Sequence, residues 1–183
     1  MTNKEIILQT ALQLFGEQGY DRTPTSQIGK QAGVSEGLIF RHYGNKAGLL
    51  AAIIQEGLAH IAATMQPYSE PAADPREAIL QHIQRSLTAI REHEKFWRLA
   101  TKVRFQSTVQ EIAGAQIEAV NQFIVQHLAD NFRRLGAEAP AQEALLLFAL
   151  LDGVCIHWLQ DPTDYPIDEM KNLLIKKYKH AYF

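Results

Sequence analysis

Apolar residues recur every three or four positions from the start of the chain, the spacing of a helix with one buried face. Ile6, Ile7, Ala11, Leu14 and Phe15 share such a face, and Gly19 stops this first helix. Thr23 reads as the cap of a second helix, with Pro24 at its first position, where a missing N–H costs nothing. That helix is short, turns Ile28 and Ala32 inward and ends at Gly33. Val34 packs the turn, Ser35 caps a third helix whose Leu38 to Tyr43 run to Gly44, and Asn45 caps a fourth. The fourth starts at Lys46 and reaches about Met65 through Leu49, Ile53, Leu58 and Ile61.

The segment Gln66 to Pro75, QPYSEPAADP, interrupts the pattern with three prolines and reads as a loop, being too short for a flexible linker. Helical spacing resumes over Arg76–His93, Glu94–Gln106, about Ser107 to Leu135, Gln142–Gln160 and about Ile167 to Tyr182. Gly136 and Pro140 mark one intervening loop and DPTDYP at 161–166 another. No internal repeat, low-complexity tract or strand pattern emerges. The expected fold is all-α with about nine helices. A small N-terminal helix-turn-helix domain spans 1–62, and a larger helical domain spans 63–183.

Composition adds bounds to this picture. With 183 residues, 46% hydrophobic and 21% charged, the chain is too apolar for disorder and ordinary for a globular protein. A net charge of −2 excludes an indiscriminate nucleic-acid binder. Residues 1–50 hold five basic side chains (Lys4, Arg22, Lys30, Arg41, Lys46) against four acidic ones (Glu5, Glu17, Asp21, Glu36). That +1 leaves −3 on the remainder, a small asymmetry of the sign DNA binding requires. Cys155 is the only cysteine, so no intrachain disulfide is possible and a reducing compartment is expected. Its setting, LLDGVCIHWL, favours a buried inert thiol over a reactive one. The N-terminus lacks the continuous apolar core of a secretory signal, and the longest apolar run, Ala144 to Leu151, is too short to span a bilayer. A soluble, cytoplasmic chain is expected.

The richest stretch is Gly19 to Leu49, GYDRTPTSQIGKQAGVSEGLIFRHYGNKAGL. Two short helices joined by a glycine turn present the second helix to a DNA major groove. Gly33 permits the positive φ of the turn. The start of the third helix aims backbone N–H groups at phosphate. Arg41 can fork onto guanine O6 and N7, while Thr25, Ser35, His42 and Tyr43 can donate to phosphates or bases. Lys46 joins the start of the fourth helix in an anion site, and Gly37 lets backbone approach the duplex. Glu36 and Leu38 complete the expected DNA-facing set. An acid at 36 suits the helix dipole and repels phosphate unless it accepts from cytosine N4, so a structural role is the favoured reading. The alternative for the segment is a plain helical hairpin, with Arg41, His42 and Lys46 as a solvated basic edge. It explains each residue singly and fails to explain their joint spacing.

This joint pattern closely resembles the DNA-binding domain of the TetR family of bacterial transcriptional repressors. Gly19-Tyr20, Thr23, Ile28-Gly29, Ala32-Gly33-Val34-Ser35, Phe40, His42-Tyr43, Lys46 and Leu49 carry the resemblance over about 45 residues. The later two-thirds resembles the family in layout, including Leu-Asp-Gly within the helix ending near Leu159. Three departures stand out. Phe40 replaces the usual Tyr and loses a phosphate-contacting hydroxyl; Gly29 replaces Ala at a cost of about 1 kcal/mol of helix stability; Glu36 stands where Lys is frequent.

Leu146, Ala149, Leu150, Gly153 and His157 form one stripe of the apolar helix at 142–160. A glycine in that stripe admits a close second helix, as a dimer interface needs. The alternative is that the stripe is intrachain core. The resemblance implies a homodimer joined through the last two helices, reading two operator half-sites. It also implies a cavity for a small hydrophobic or aromatic effector in the helical body. Candidate lining residues are Trp97, Thr101, Phe105, Gln116, Val120, Phe123, His127, Phe148, Asp152 and Cys155, each of which core packing would also explain. The implied mechanism is linkage: effector favours a conformation whose recognition helices misfit the operator. Catalysis is not expected. The seven histidines form no HExxH or HxxxH pair, there is no Cys–His metal spacing, and no cofactor is implied. A helix-turn-helix protein controlled by a protein partner, or acting without ligand, is the competing reading.

Overall fold

The computed structural model describes residues 1–65 and 74–180, so most of the expected loop at 66–75, and Tyr182, lie outside the described residues. Among the described residues there are nine helices and no strand. They are α1 (Asn3–Gln18), α2 (Thr25–Ala32), α3 (Glu36–Tyr43), α4 (Lys46–Met65) and α5 (Pro75–Glu92), then α6 (Glu94–Val103), α7 (Ser107–Arg134), α8 (Pro140–Gln160) and α9 (Ile167–His180). The all-α class and the helix count follow the periodicity, and most ends fall within two residues of the expected ones.

The described chain forms two compact units, whose first break falls after His60 and to the first of which residues 94–117 return. The first joins Met1–His60 with Glu94–Ile117; the second begins with Ile61–His93 and resumes at Glu118. Residues 94–117 belong with the N-terminal helices because Leu99, Val103, Val109 and Ala113 bury in the same core as Ile7, Leu14, Phe15, Ile28, Ile39 and Leu50. The Lys102 ammonium also donates to the Gly16 carbonyl of α1. An added Cβ on Gly16 would stand 3.7 Å from the Lys95 carbonyl, so the α1 backbone lies close against α6.

Local chemistry sets the ends of α1 to α4. Thr2 and Glu5 form a capping box at the start of α1. Gly19, at φ 92°, closes that helix with its N–H on the Phe15 carbonyl. Thr23 is not the cap of α2. It is fully buried, and its hydroxyl donates to the Gly19 carbonyl at 2.9 Å, turning back to satisfy the end of α1. Pro24 takes the cap position, with no side-chain bond to the helix. Ser35 and Asn45 cap α3 and α4 as expected, accepting from the N–H groups of Leu38 (3.3 Å) and Gly48 (2.8 Å).

In the second unit, α5, α8 and α9 pack together. Asp74 caps α5 by accepting from the Arg76 N–H at 2.9 Å, with Pro75 in the first turn. Ile79, Ile83, Leu87 and Ile90 of α5 are buried, as are Leu147, Leu151, Val154 and Trp158 of α8 and Leu174 and Tyr178 of α9. Although its longest uninterrupted apolar run is short, α8 as a whole is long and apolar enough to cross a membrane. The hydropathy has a structural source: one side of α8 is core, and another side is both apolar and exposed.

Candidate nucleic-acid interface

The turn between α2 and α3 is built by glycine. Gly33 adopts φ 69° and ψ 28°, the left-handed conformation expected of it. Gly29 sits under the turn, where an added Cβ would meet the Val34 carbonyl at 3.0 Å. The Val34 N–H donates to the Gly29 carbonyl at 2.9 Å. Glycine's helix cost at 29 is therefore set against a tight α2–α3 approach that alanine would strain. Ile28 and Ile39, both fully buried, fix which sides of α2 and α3 face the core.

Several residues expected to face DNA are bonded inside the unit. The Thr25 hydroxyl donates to the Glu36 carboxylate at 2.5 Å, linking the first turns of α2 and α3. Glu36 thus has a bond inside the unit. The Tyr43 hydroxyl donates to the Lys4 carbonyl at 2.8 Å, tying the end of α3 to the start of α1. Burial, and then the Glu56 carboxylate, hold the Tyr43 phenol above its usual range, which keeps it a donor. The Lys46 ammonium donates to the Asp21 carbonyl at 3.2 Å and lies 4.5 Å from the centre of the Tyr20 ring. Burial lowers its pKa and the Asp21 charge partly opposes that. The Ser35 hydroxyl oxygen accepts the α3 cap bond from the Leu38 N–H and keeps its own proton to donate.

The outward side of α3 is left to Glu36, Gly37, Phe40 and Arg41, all exposed, with His42 exposed beside them. Leu38 is half-buried on the packed side. A Cβ on Gly37 would meet nothing within 4 Å, so packing inside the protein does not demand glycine there. Of the nine expected residues, Gly37, Arg41 and His42 are open to solvent and show no side-chain hydrogen bond among the described residues. Phe40 joins them at 42% exposure, although it was not in the expected set. Its signal in the sequence was an aromatic one helical turn after Gly37.

The stripe on α8 is open. Leu146 is half exposed, Ala149 and His157 are exposed, and Leu150 and Gly153 are partly so. A Cβ on Gly153 would have nothing within 4 Å. Leu145 and, on α9, Leu173 enlarge the exposed apolar surface.

The ten effector candidates fall in both units. In the first, Trp97 and Thr101 are half-buried, the Thr101 hydroxyl donates to the Trp97 carbonyl, Gln116 is exposed and Phe105 is 83% exposed. In the second, Val120, His127, Phe148 and Asp152 are half-buried, Phe123 is exposed and Cys155 is buried. His82, absent from the expected set, is buried on α5 beside the Ser86 hydroxyl. Burial, then the charges of His127 and Arg85, push its pKa down to about 4. The Asn131 amide, also buried, donates to the His127 carbonyl at 2.9 Å. The signal for His82 was a histidine four residues after Ala78 and three after Ile79, on the buried face of α5.

Residues 7–53 match the family described as "Bacterial regulatory proteins, tetR family", and residues 75–177 match "BetI-type transcriptional repressor, C-terminal". The chain is 31% identical over 169 residues to the HTH-type transcriptional regulator TtgR of Pseudomonas putida, covering 85% of this chain and 80% of that one. Its fold matches NalD of Pseudomonas aeruginosa, the secondary repressor of the MexAB-OprM multidrug efflux pump, at TM-score 0.70 and 25% identity over 97% and 93% of the two chains. It also matches the Bacillus subtilis regulator FadR in complex with stearoyl-CoA, at TM-score 0.76 and 17% identity over 95% and 96%.

Proposed function

Because the chain belongs to the TetR family of bacterial transcriptional regulators, we propose that it is a dimeric repressor that a small hydrophobic or aromatic molecule releases from its operator. The observation that carries the DNA-binding half is the division of labour on α3. Ser35, Glu36 and Tyr43 hold the helix, while Gly37, Phe40, Arg41 and His42 are left exposed. Arg41 supplies the fork for a guanine edge, and the starts of α3 and α4 supply backbone donors for phosphates. Lys46 keeps two N–H donors beyond the one on Asp21, enough to meet a phosphate as well.

The exposed stripe Leu146, Ala149, Leu150, Gly153 and His157, widened by Leu145 and Leu173, supports pairing of α8 and α9 with a second copy. Stearoyl-CoA in the FadR complex supports effector control in this fold. In this chain the buried polar groups of the second unit, His82 and Asn131 with His127 beside them, suit the polar end of an otherwise apolar effector.

Mobility shifts on the DNA upstream of its own gene test the first half. A specific complex is expected, weakened at least tenfold by Arg41→Ala, and no specific shift with any genomic fragment at moderate salt overturns the reading. For the second half, a compound that binds tightly and leaves operator affinity unchanged removes effector control.

A further inference from the structure

Phe40 is an exposed aromatic at the centre of the outward side of α3. It stands one turn after Gly37 and next to Arg41, on a helix only eight residues long. Glu36, Gly37, Phe40 and Arg41 occupy positions i, i+1, i+4 and i+5, which share one side of a helix. Glu36 is turned toward α2 by the Thr25 hydroxyl. Gly37 offers no side chain and has open space around it. The two large groups left on that side are one guanidinium and one phenyl ring.

A phenyl ring has no donor for a phosphate and no hydrogen-bonding atom for a base edge. It gains only by covering an apolar group. Along the major groove the apolar group displayed by the bases is the thymine C5 methyl. We infer that Phe40 is a specificity-determining residue that covers a thymine methyl in each operator half-site, over the gap Gly37 leaves. Arg41 reads a neighbouring base pair. This rests on the operator-binding reading above and adds what the operator contains: a thymine within reach of the base that Arg41 contacts.

The experiment uses the full chain and an operator enriched by it from a random duplex library. Each thymine of the enriched site is replaced singly by deoxyuridine, which removes the methyl and keeps the pairing. One thymine per half-site is expected to lose about three- to tenfold in affinity on replacement, near the fourfold that burial of one methyl group represents. Phe40→Ala abolishes that penalty, binding both duplexes equally, while Phe40→Leu retains part of it. Since Phe40 is on the surface, both variants are expected to fold, and unchanged circular dichroism melts check this. An operator bound tightly by the wild type and indifferent to every deoxyuridine overturns the Phe40 assignment and leaves operator binding standing. So does a penalty that persists in Phe40→Ala. Failure of the library to enrich any sequence overturns both.

Discussion

Gly48→Ala probes how closely the end of the recognition helix is held. Gly48 lies in the first turn of α4, with its N–H on the Asn45 side chain. A Cβ built there falls 2.0 Å from the Tyr43 carbonyl oxygen and 3.2 Å from its carbon. Restoring even the 3.0 Å limit of real contacts means opening the α3–α4 corner by about 1 Å, the difference between 3.0 and 2.0. In an unstrained helix the same change would stabilise by about 1 kcal/mol. Overpacking costs about 1–3 kcal/mol, and the upper end applies because the struck atoms are backbone, with no rotamer to yield. The net is a loss of about 2 kcal/mol.

For a chain of this length that loss corresponds to a melting temperature lower by roughly 4–8 °C. Gly37→Ala is the control, since its Cβ meets nothing within 4 Å. It is expected to melt at or slightly above the wild type, by up to about 1 kcal/mol of helix propensity. Thermal melts followed by circular dichroism read both. A Gly48→Ala variant melting as high as Gly37→Ala would refute the claim that the corner is closed by backbone contact.

Three further outcomes follow from the same geometry. His82 is neutral in the fold at a pKa of about 4 against 6.5 unfolded, so its contribution is complete above about pH 6.5 and is lost as pH falls toward 4. Urea unfolding is expected to show a decline of up to about 3 kcal/mol across that window, with a shallower slope in His82→Gln; equal slopes would remove His82 as the cause. Lys46→Met is expected to lower the melting temperature and to flatten the dependence of log affinity on log salt by about 0.9, one phosphate's share; a stability loss with an unchanged slope would leave Lys46 only its bond to Asp21. Leu146→Glu is expected to convert a dimer into a monomer in sedimentation with helicity retained, and an unchanged mass would move the interface elsewhere.

The helices were legible because their signals are local. Apolar spacing, Ser35 and Asn45 as caps and Gly33 in the turn each act within four residues, and the structure follows them. Thr23 misled for a tertiary reason. A threonine before Pro24 has the form of a cap, yet burial turned its hydroxyl back to the end of α1. The return of residues 94–117 to the first unit was illegible for a similar reason. Nothing near Lys102 in the chain announces that its ammonium meets the Gly16 carbonyl, 86 residues earlier. Within the DNA-facing set, residue type was a good guide to position on α3 and a poor guide to what each side chain does. Tyr43 is a hydrogen-bond donor, as expected, and its acceptor is the protein's own Lys4 carbonyl.

That last distinction has a physical root. Both α2 and α3 are eight residues long, well below the length at which a helix is stable by itself in water. A recognition helix so short has its direction imposed from outside. Here the imposing contacts lie at its two ends, with one residue buried between them. Ser35 caps the start of α3 while Glu36 takes the Thr25 hydroxyl, Ile39 is buried, and Tyr43 is tied to α1. The polar residues of the motif therefore divide between those bonded inside the unit, at 25, 35, 36 and 43, and those that carry no such bond among the described residues, at 41 and 42. Positions 37, 40, 41 and 42 make none of these holding bonds. They are where a family of regulators on one scaffold can change operators, and where the Phe at 40 departs from the common tyrosine. Changes at 25, 36 or 43 are expected to weaken every operator alike, because they break bonds that hold α3.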